Sequence, residues 1–67
     1  MKILKRYLDN PEELKAAGEP VDWFETTEEE CLQRTEVQGY WKPGTVLDIL
    51  TEGGVVHTPF ALYKGVQ

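Results

Sequence analysis

The apolar positions near the start of the chain recur at helical spacing. In "MKILKRYL" they follow i, i+1, i+4 and i+5, at Ile3, Leu4, Tyr7 and Leu8. This spacing predicts a helix, although the alternation of charged and apolar residues in the same stretch keeps an edge strand as the alternative.

A second helix is predicted over residues 11–17 by its end signals. Asn10 can cap it, Pro11 suits the first helical position, and Glu13 stands at the spacing of a capping box. Gly18 then offers a left-handed stop, and a proline two residues later prevents continuation.

From Val21 onward the apolar residues change to a period of two, which favours strands. "VDWFET" alternates over residues 21–26, and residues 31–41 continue the alternation. In the second stretch the face expected to be buried carries Cys31, Thr35, Val37, Gly39 and Trp41, and the outward face carries Arg34, Glu36, Gln38 and Tyr40. A helix over residues 27–34 is the alternative, because Thr27 and Glu30 also have the capping-box spacing.

A hairpin is predicted around the glycines of "TEGG", which "TVLDIL" and "VVHT" flank. The expected register pairs Leu50 with Val55, Ile49 with Val56, and Asp48 with His57. Pro59 cannot donate to a ladder, so the strand breaks there before "FALY", residues 60–63, resumes it as an edge.

These patterns predict the α+β class: a short N-terminal helical segment, residues 2–17 with a break at Asp9 and Asn10, packed on a three- or four-stranded antiparallel β-meander. We expect residues 1–67 to form a single small domain with a thin core. The helical segment would cover one sheet face, with Leu4, Leu8 and Leu14 meeting Val37, Trp41, Leu47 and Ile49. A short meander with a Gly-Gly turn could also curl into an SH3-like half-barrel.

The six aromatic residues outside the first segment divide between core and surface in this scheme. A core this small needs most of them as filling, so we expect Trp23, Trp41 and Phe60 to be structural. Tyr40 and Tyr63 are the pair expected to be exposed.

The net charge of −5 is concentrated in one part of the chain. Residues 1–8 carry +3, residues 9–36 carry −8, and residues 37–67 are balanced. Direct binding of nucleic acid needs a basic surface and is therefore not expected beyond the small N-terminal patch. A protein partner with a basic surface fits the charge better.

No sequence motif identifies a catalytic centre. Cys31, Asp48 and His57 are the residue types of a nucleophilic triad, but so small a chain leaves little room for a cleft and an oxyanion site. The acidic run lacks the spacing and the glycine of a calcium loop. We therefore predict no enzyme activity, no catalytic residues, no metal and no cofactor.

The leading functional hypothesis is a small acidic binding protein that occupies a surface of a larger protein, as an inhibitor, adaptor or regulator. Its size and charge are analogous to those of small phage or mobile-element proteins that block basic surfaces of host nucleic-acid machinery. A solvated turn is the plainer interpretation of the same charge run. The residues expected to contact the partner are Glu25, Glu28, Glu29, Glu30, Glu36, Tyr40 and Lys42.

The alternative is a constitutive small subunit or assembly factor that uses a sheet edge or apolar surface. An edge at residues 60–63 could add to another sheet or to a second copy of the chain. The single cysteine and the absence of a long apolar run predict a cytoplasmic protein with no membrane partner.

Overall fold

The computed structural model describes the whole chain, residues 1–67. The elements in chain order are β1 (Lys2–Tyr7), α1 (Pro11–Ala16), β2 (Phe24–Thr26), α2 (Glu28–Gln33), α3 (Thr35–Gln38), α4 (Pro43–Thr51), β3 (Val55–His57) and β4 (Ala61–Val66). The α+β class with a four-stranded antiparallel sheet is confirmed, whereas the SH3-like half-barrel is not.

The strands are arranged in the order β2-β1-β4-β3, and every neighbouring pair is antiparallel. The two long strands β1 and β4 lie in the centre, and the three-residue strands β2 and β3 form the edges. The order is not that of a meander, because the chain crosses from one edge to the other through α2, α3 and α4. Since β4 is an inner strand, the prediction of a sheet edge at residues 60–63 is wrong.

The first segment is strand β1, so the helix predicted for residues 2–8 is wrong. The alternative, a strand, is right, but β1 is an inner strand and not the edge strand expected. Its side chains alternate: Ile3 and Lys5 are buried, and Lys2 and Arg6 are exposed. β1 pairs with β4 along six positions and with β2 along three. Pairing on both sides outweighs a local helical spacing, which is a weak determinant in a segment this short.

The second predicted helix is confirmed as α1. The Asn10 side chain accepts the backbone N–H of Glu12 at 2.8 Å. Pro11 is the first helical residue, and Gly18 has a φ of +75°, the left-handed conformation expected after the helix end. Its inward residue Leu14 is buried, but Leu8, expected to cover the sheet beside it, is exposed.

Residues 31–41 are not a strand, and the alternative helix is right. The Thr27 hydroxyl caps α2 by accepting the backbone N–H of Glu30 at 3.1 Å. Arg34 then leaves helical geometry, with ψ at 135°, and α3 begins at the next residue. The capping interaction prevails because the alternation of residues 31–41 has no neighbouring strand to pair with.

"TVLDIL" lies in helix α4, so the predicted strand and its hairpin register are wrong. Pro43 occupies the first turn, and the apolar residues recur at i, i+1, i+3 and i+4, at Val46, Leu47, Ile49 and Leu50. The glycines of "TEGG" follow the helix end, where Gly53 has a φ of +79°. They terminate a helix instead of turning a hairpin.

The observed hairpin joins β3 and β4, with Val56 opposite Tyr63 and His57 opposite Leu62. Thr58 closes its turn, because its buried hydroxyl donates to the carbonyl oxygen of Ala61 at 2.7 Å and accepts the N–H of that residue at 2.9 Å. The break expected at Pro59 is therefore the turn itself. His57 lies opposite Leu62 in this hairpin, and no ion pair joins it to Asp48, which lies on α4.

The core lies between one sheet face and helices α2, α3 and α4. Its buried apolar residues are Ile3, Cys31, Val37, Val46, Leu50, Val56, Ala61 and Tyr63. At Gly65, a Cβ atom would stand 1.7 Å from the backbone oxygen of Leu50, so α4 and β4 meet backbone to backbone. Only glycine permits this approach.

The aromatic residues follow the predictions in part. Trp41 packs on the core and its Nε1–H donates to the carbonyl oxygen of His57 at 3.0 Å, and Trp23 is half-buried. Tyr40 is exposed, as expected. Tyr63 is fully buried and Phe60 is 60% exposed, so both of those expectations are wrong. Phe60 lies in the turn after Thr58, and Tyr63 lies with Ala61 and Gly65 on the buried face of β4.

Candidate functional site

Four of the predicted contact residues are glutamates within residues 25–30, and they lie on two different elements. Glu25 lies in edge strand β2, and Glu28, Glu29 and Glu30 form the first turn of α2. All four are exposed. We call them the acidic surface. Tyr40, 69% exposed, and Lys42 lie between α3 and α4, and no hydrogen bond or ion pair joins them to the acidic surface.

Three of the four glutamates of the acidic surface lie in the first turn of α2. Carboxylates in a first helical turn interact favourably with the helix dipole. Glu30 Oε2 also accepts a hydrogen bond from the Thr26 hydroxyl at 2.8 Å, and Gln33 donates to Glu29 Oε1 at 3.4 Å. None of the four carboxylates has an ion-pair partner, because both ion pairs of the protein end on Glu36.

Glu36 is the one predicted contact residue that the structure does not place at the surface. Strand alternation placed it outward, but as part of α3 it is buried and only 4% of its side chain is exposed. Its Oε1 accepts a hydrogen bond from Arg34 Nε at 3.0 Å and one from the Tyr63 hydroxyl at 3.4 Å. Burial opposes the ionised form of Glu36, but hydrogen bonds from its backbone and from Arg34 outweigh burial and lower its pKa.

Lys5 is the second buried charge, and no sequence argument singled it out. Its Nζ lies 4.0 Å from Glu36 Oε1, 4.8 Å from the centre of the Tyr7 ring and 5.2 Å from that of Tyr63. Burial, followed by the nearby charge of Arg34, lowers the pKa of Lys5. The only signal in the sequence was its place between Ile3 and Tyr7 in an alternating strand.

A cavity of about 410 Å³ opens beside Lys5, between the sheet and α2. The sheet wall consists of Lys5, Tyr7, Phe24 and Thr26, and the helix wall includes Glu30 and Arg34. The rings of Tyr7 and Phe24 are in contact, with centroids 5.5 Å apart and planes tilted by 39°. Cationic, anionic and aromatic groups therefore converge on one concave site.

The opposite face of the sheet combines basic and apolar side chains. The strand registers place Lys2, Leu4, Arg6, Leu62, Lys64 and Val66 together there, and Glu25 of β2, opposite Leu4, lies on the same face. The lysines and the arginine are exposed, and the leucines and the valine are half-buried. We call this group the outer sheet face.

The residue types of a nucleophilic triad do not meet. Cys31 is buried in the core, and burial raises its pKa to about 11, so the thiol is protonated at neutral pH. Asp48 and His57 are exposed on α4 and β3. No group of three or more His, Cys, Asp or Glu residues is arranged to hold a metal ion. No helix has the length and apolar character needed to cross a membrane.

Comparison with known proteins gives no assignment: no family model matches the sequence, and neither a curated protein nor a solved structure matches the chain.

Proposed function

We propose that this chain is a small non-enzymatic binding protein that occupies a basic surface of a larger protein through its acidic surface. Tyr40 and Lys42 would provide a second, separate contact region. In this role the protein would act as an inhibitor, adaptor or regulator of its partner.

The observation that supports this proposal is the unpaired state of the exposed carboxylates. Glu36 alone has cationic partners within 4.0 Å, so Glu28, Glu29 and Glu30 form no ion pair within the molecule. Clustered charges of one sign steer association with a surface of the opposite sign and accelerate it at low ionic strength. These three carboxylates lie in the first turn of α2, where the helix dipole favours their negative charge.

A matched pair of variants tests the proposal. Glu28→Gln with Glu29→Gln removes two charges from the first turn of α2, and Glu12→Gln with Glu13→Gln removes two from the first turn of α1. Both helices have a side-chain cap, so we expect the two double variants to lower the free energy of unfolding by similar amounts. Each protein is immobilised and exposed to extract of the native host, and retained proteins are eluted with rising salt.

We expect wild type and the α1 pair to retain the same protein at low salt and to release it early in the gradient. The α2 pair should lose most of that retention. Equal retention by both pairs, or release that does not depend on salt, would contradict the proposal.

The second candidate is a constitutive small subunit, and the outer sheet face favours it. Three half-exposed apolar side chains, Leu4, Leu62 and Val66, lie together on that face, and β3 offers a short free edge beside it. Such a contact would persist at high salt, since apolar burial is not screened. Leu4→Gln with Leu62→Gln should abolish association in this case, and the α2 pair should leave it unchanged.

A further inference from the structure

We propose that the cavity between β1, β2 and α2 binds the carboxylate of a small aromatic acid, with Lys5 Nζ and the terminal guanidinium nitrogens of Arg34 as donors. This inference concerns a small-molecule site and does not depend on the proposed protein contact.

The first support is the unused donor capacity of Lys5. Only 6% of its side chain is exposed, yet Nζ makes no hydrogen bond, and its nearest carboxylate oxygen is at 4.0 Å. No fully buried side-chain nitrogen or oxygen lacks a partner, so Nζ must reach the open space of the cavity. An ammonium group placed in this way has N–H donor capacity left for whatever occupies that space.

The second support is the orientation of Arg34. Its Nε–H is bonded to Glu36, which fixes one edge of the guanidinium and leaves the terminal N–H groups without a protein acceptor. Its side chain is 53% exposed and lines the same cavity as Lys5. The planar guanidinium matches a carboxylate in shape and can donate two parallel hydrogen bonds to it.

The charges around the cavity favour a single negative charge on the ligand. Lys5 and Arg34 supply two positive charges, but Glu36 partly neutralises them, and the Glu30 carboxylate lies on the cavity wall. Because two carboxylates balance the two cations, a phosphate group, with about −1.5 to −2 charge at pH 7, would receive less compensation for its larger desolvation cost than a carboxylate.

The walls favour an aromatic group on the same ligand. Tyr7 and Phe24 present a tilted pair of rings, to which a third ring can add in an offset or edge-to-face contact. A volume of about 410 Å³ is within the range of small-ligand pockets, which is about 300–1,000 Å³.

The test is a titration of the labelled protein with phenylacetate, followed by NMR of backbone amides and of the lysine side chains. We expect saturable shifts at the amides of Lys5, Thr26 and Arg34, and a rise in the pKa of Lys5 as it gains an anionic partner. Phenylacetamide, which has the same shape without the charge, and inorganic phosphate should bind at least tenfold more weakly. Comparable binding of either compound, or no saturable shift with phenylacetate, would overturn the proposal.

Variants assign the donors. Lys5→Met and Arg34→Gln should each weaken phenylacetate binding about tenfold or more, as the loss of a charge-assisted hydrogen bond implies. Lys64→Met removes a lysine from the opposite face of the same sheet and should leave binding unchanged. An equal loss in Lys64→Met would refute the site. If a variant folds poorly, the change in the pKa of Lys5 when phenylacetate is added to the wild-type protein still tests the site.

Discussion

Replacing Glu36 by glutamine should destabilise the protein far more than removing an exposed carboxylate. The change keeps the shape and the acceptor oxygen but removes the one negative charge that Lys5 and Arg34 share. A hydrogen bond to a charged group contributes about 1.5–3 kcal/mol, against about 1 kcal/mol for a neutral one. Breaking a fully buried ion pair costs about 3–5 kcal/mol.

Two features place the expected loss below that upper range. Arg34 is 53% exposed, so water compensates it in part, and Lys5 reaches the open space of the cavity. We therefore expect Glu36→Gln to lower the free energy of unfolding by about 2 kcal/mol. A chain of 67 residues has a total stability of roughly 3–10 kcal/mol, so the loss is a substantial fraction.

Urea denaturation monitored by tryptophan fluorescence measures this loss, with Glu19→Gln as the control at an exposed position. Combining Glu36→Gln with Lys5→Met should recover part of the stability, because the uncompensated charge of Lys5 is then absent. A loss below about 0.5 kcal/mol for Glu36→Gln, the usual range of surface substitutions, would refute the reasoning. The reasoning would also be refuted if Glu36→Gln lowered the free energy of unfolding as much in the Lys5→Met protein as in wild type.

Three further results are expected. Gly65→Ala should cost several kcal/mol in chemical denaturation because its Cβ would overlap the backbone of α4, whereas Gly44→Ala, which meets open space, should cost little. Folding lowers the pKa of Glu36 from its ordinary value of 4.5. The difference in free energy of unfolding between wild type and Glu36→Gln should therefore have its full size above pH 4.5 and disappear as the pH falls through the folded-state pKa. In thermal melts Trp41→Ala should lower the midpoint, because it removes core packing and the hydrogen bond to β3. Tyr40→Ala should leave the midpoint unchanged and affect only binding. A lower midpoint for Tyr40→Ala than for Trp41→Ala would contradict these positions.

Local signals predicted those elements whose ends are encoded in a few adjacent residues. The α1 helix was predicted correctly because Asn10 and Gly18 specify its two ends without help from the rest of the chain. The Thr27 cap was recognised as an alternative for the same reason. β1 and α4 were assigned the wrong type, because strand β1 depends on partners far along the chain and "TVLDIL" fits both periods.

The candidate sites divide in the same way. Exposure of Glu25 and of Glu28–Glu30 could be predicted, since a dense charge run is almost always solvated. The cluster of Lys5, Arg34 and Glu36 could not be predicted, because it joins β1 to the start of α3 through contacts between residues far apart in the sequence. A buried lysine is rare enough that alternation alone is weak evidence for one.

The adjacency of the first and last strands has a consequence for the covalent topology of the chain. Lys2 lies directly opposite Val66, so the two termini meet at one end of the two central strands. A short peptide linker could close the backbone into a ring without disturbing the sheet. By the loop-closure relation, cyclising a chain of 67 residues reduces the conformational entropy of the unfolded ensemble, which stabilises the folded state by about 4 kcal/mol at 25 °C. For the same reason, new termini opened in an exposed loop should be tolerated, whereas trimming either present end removes part of the sheet's central pair.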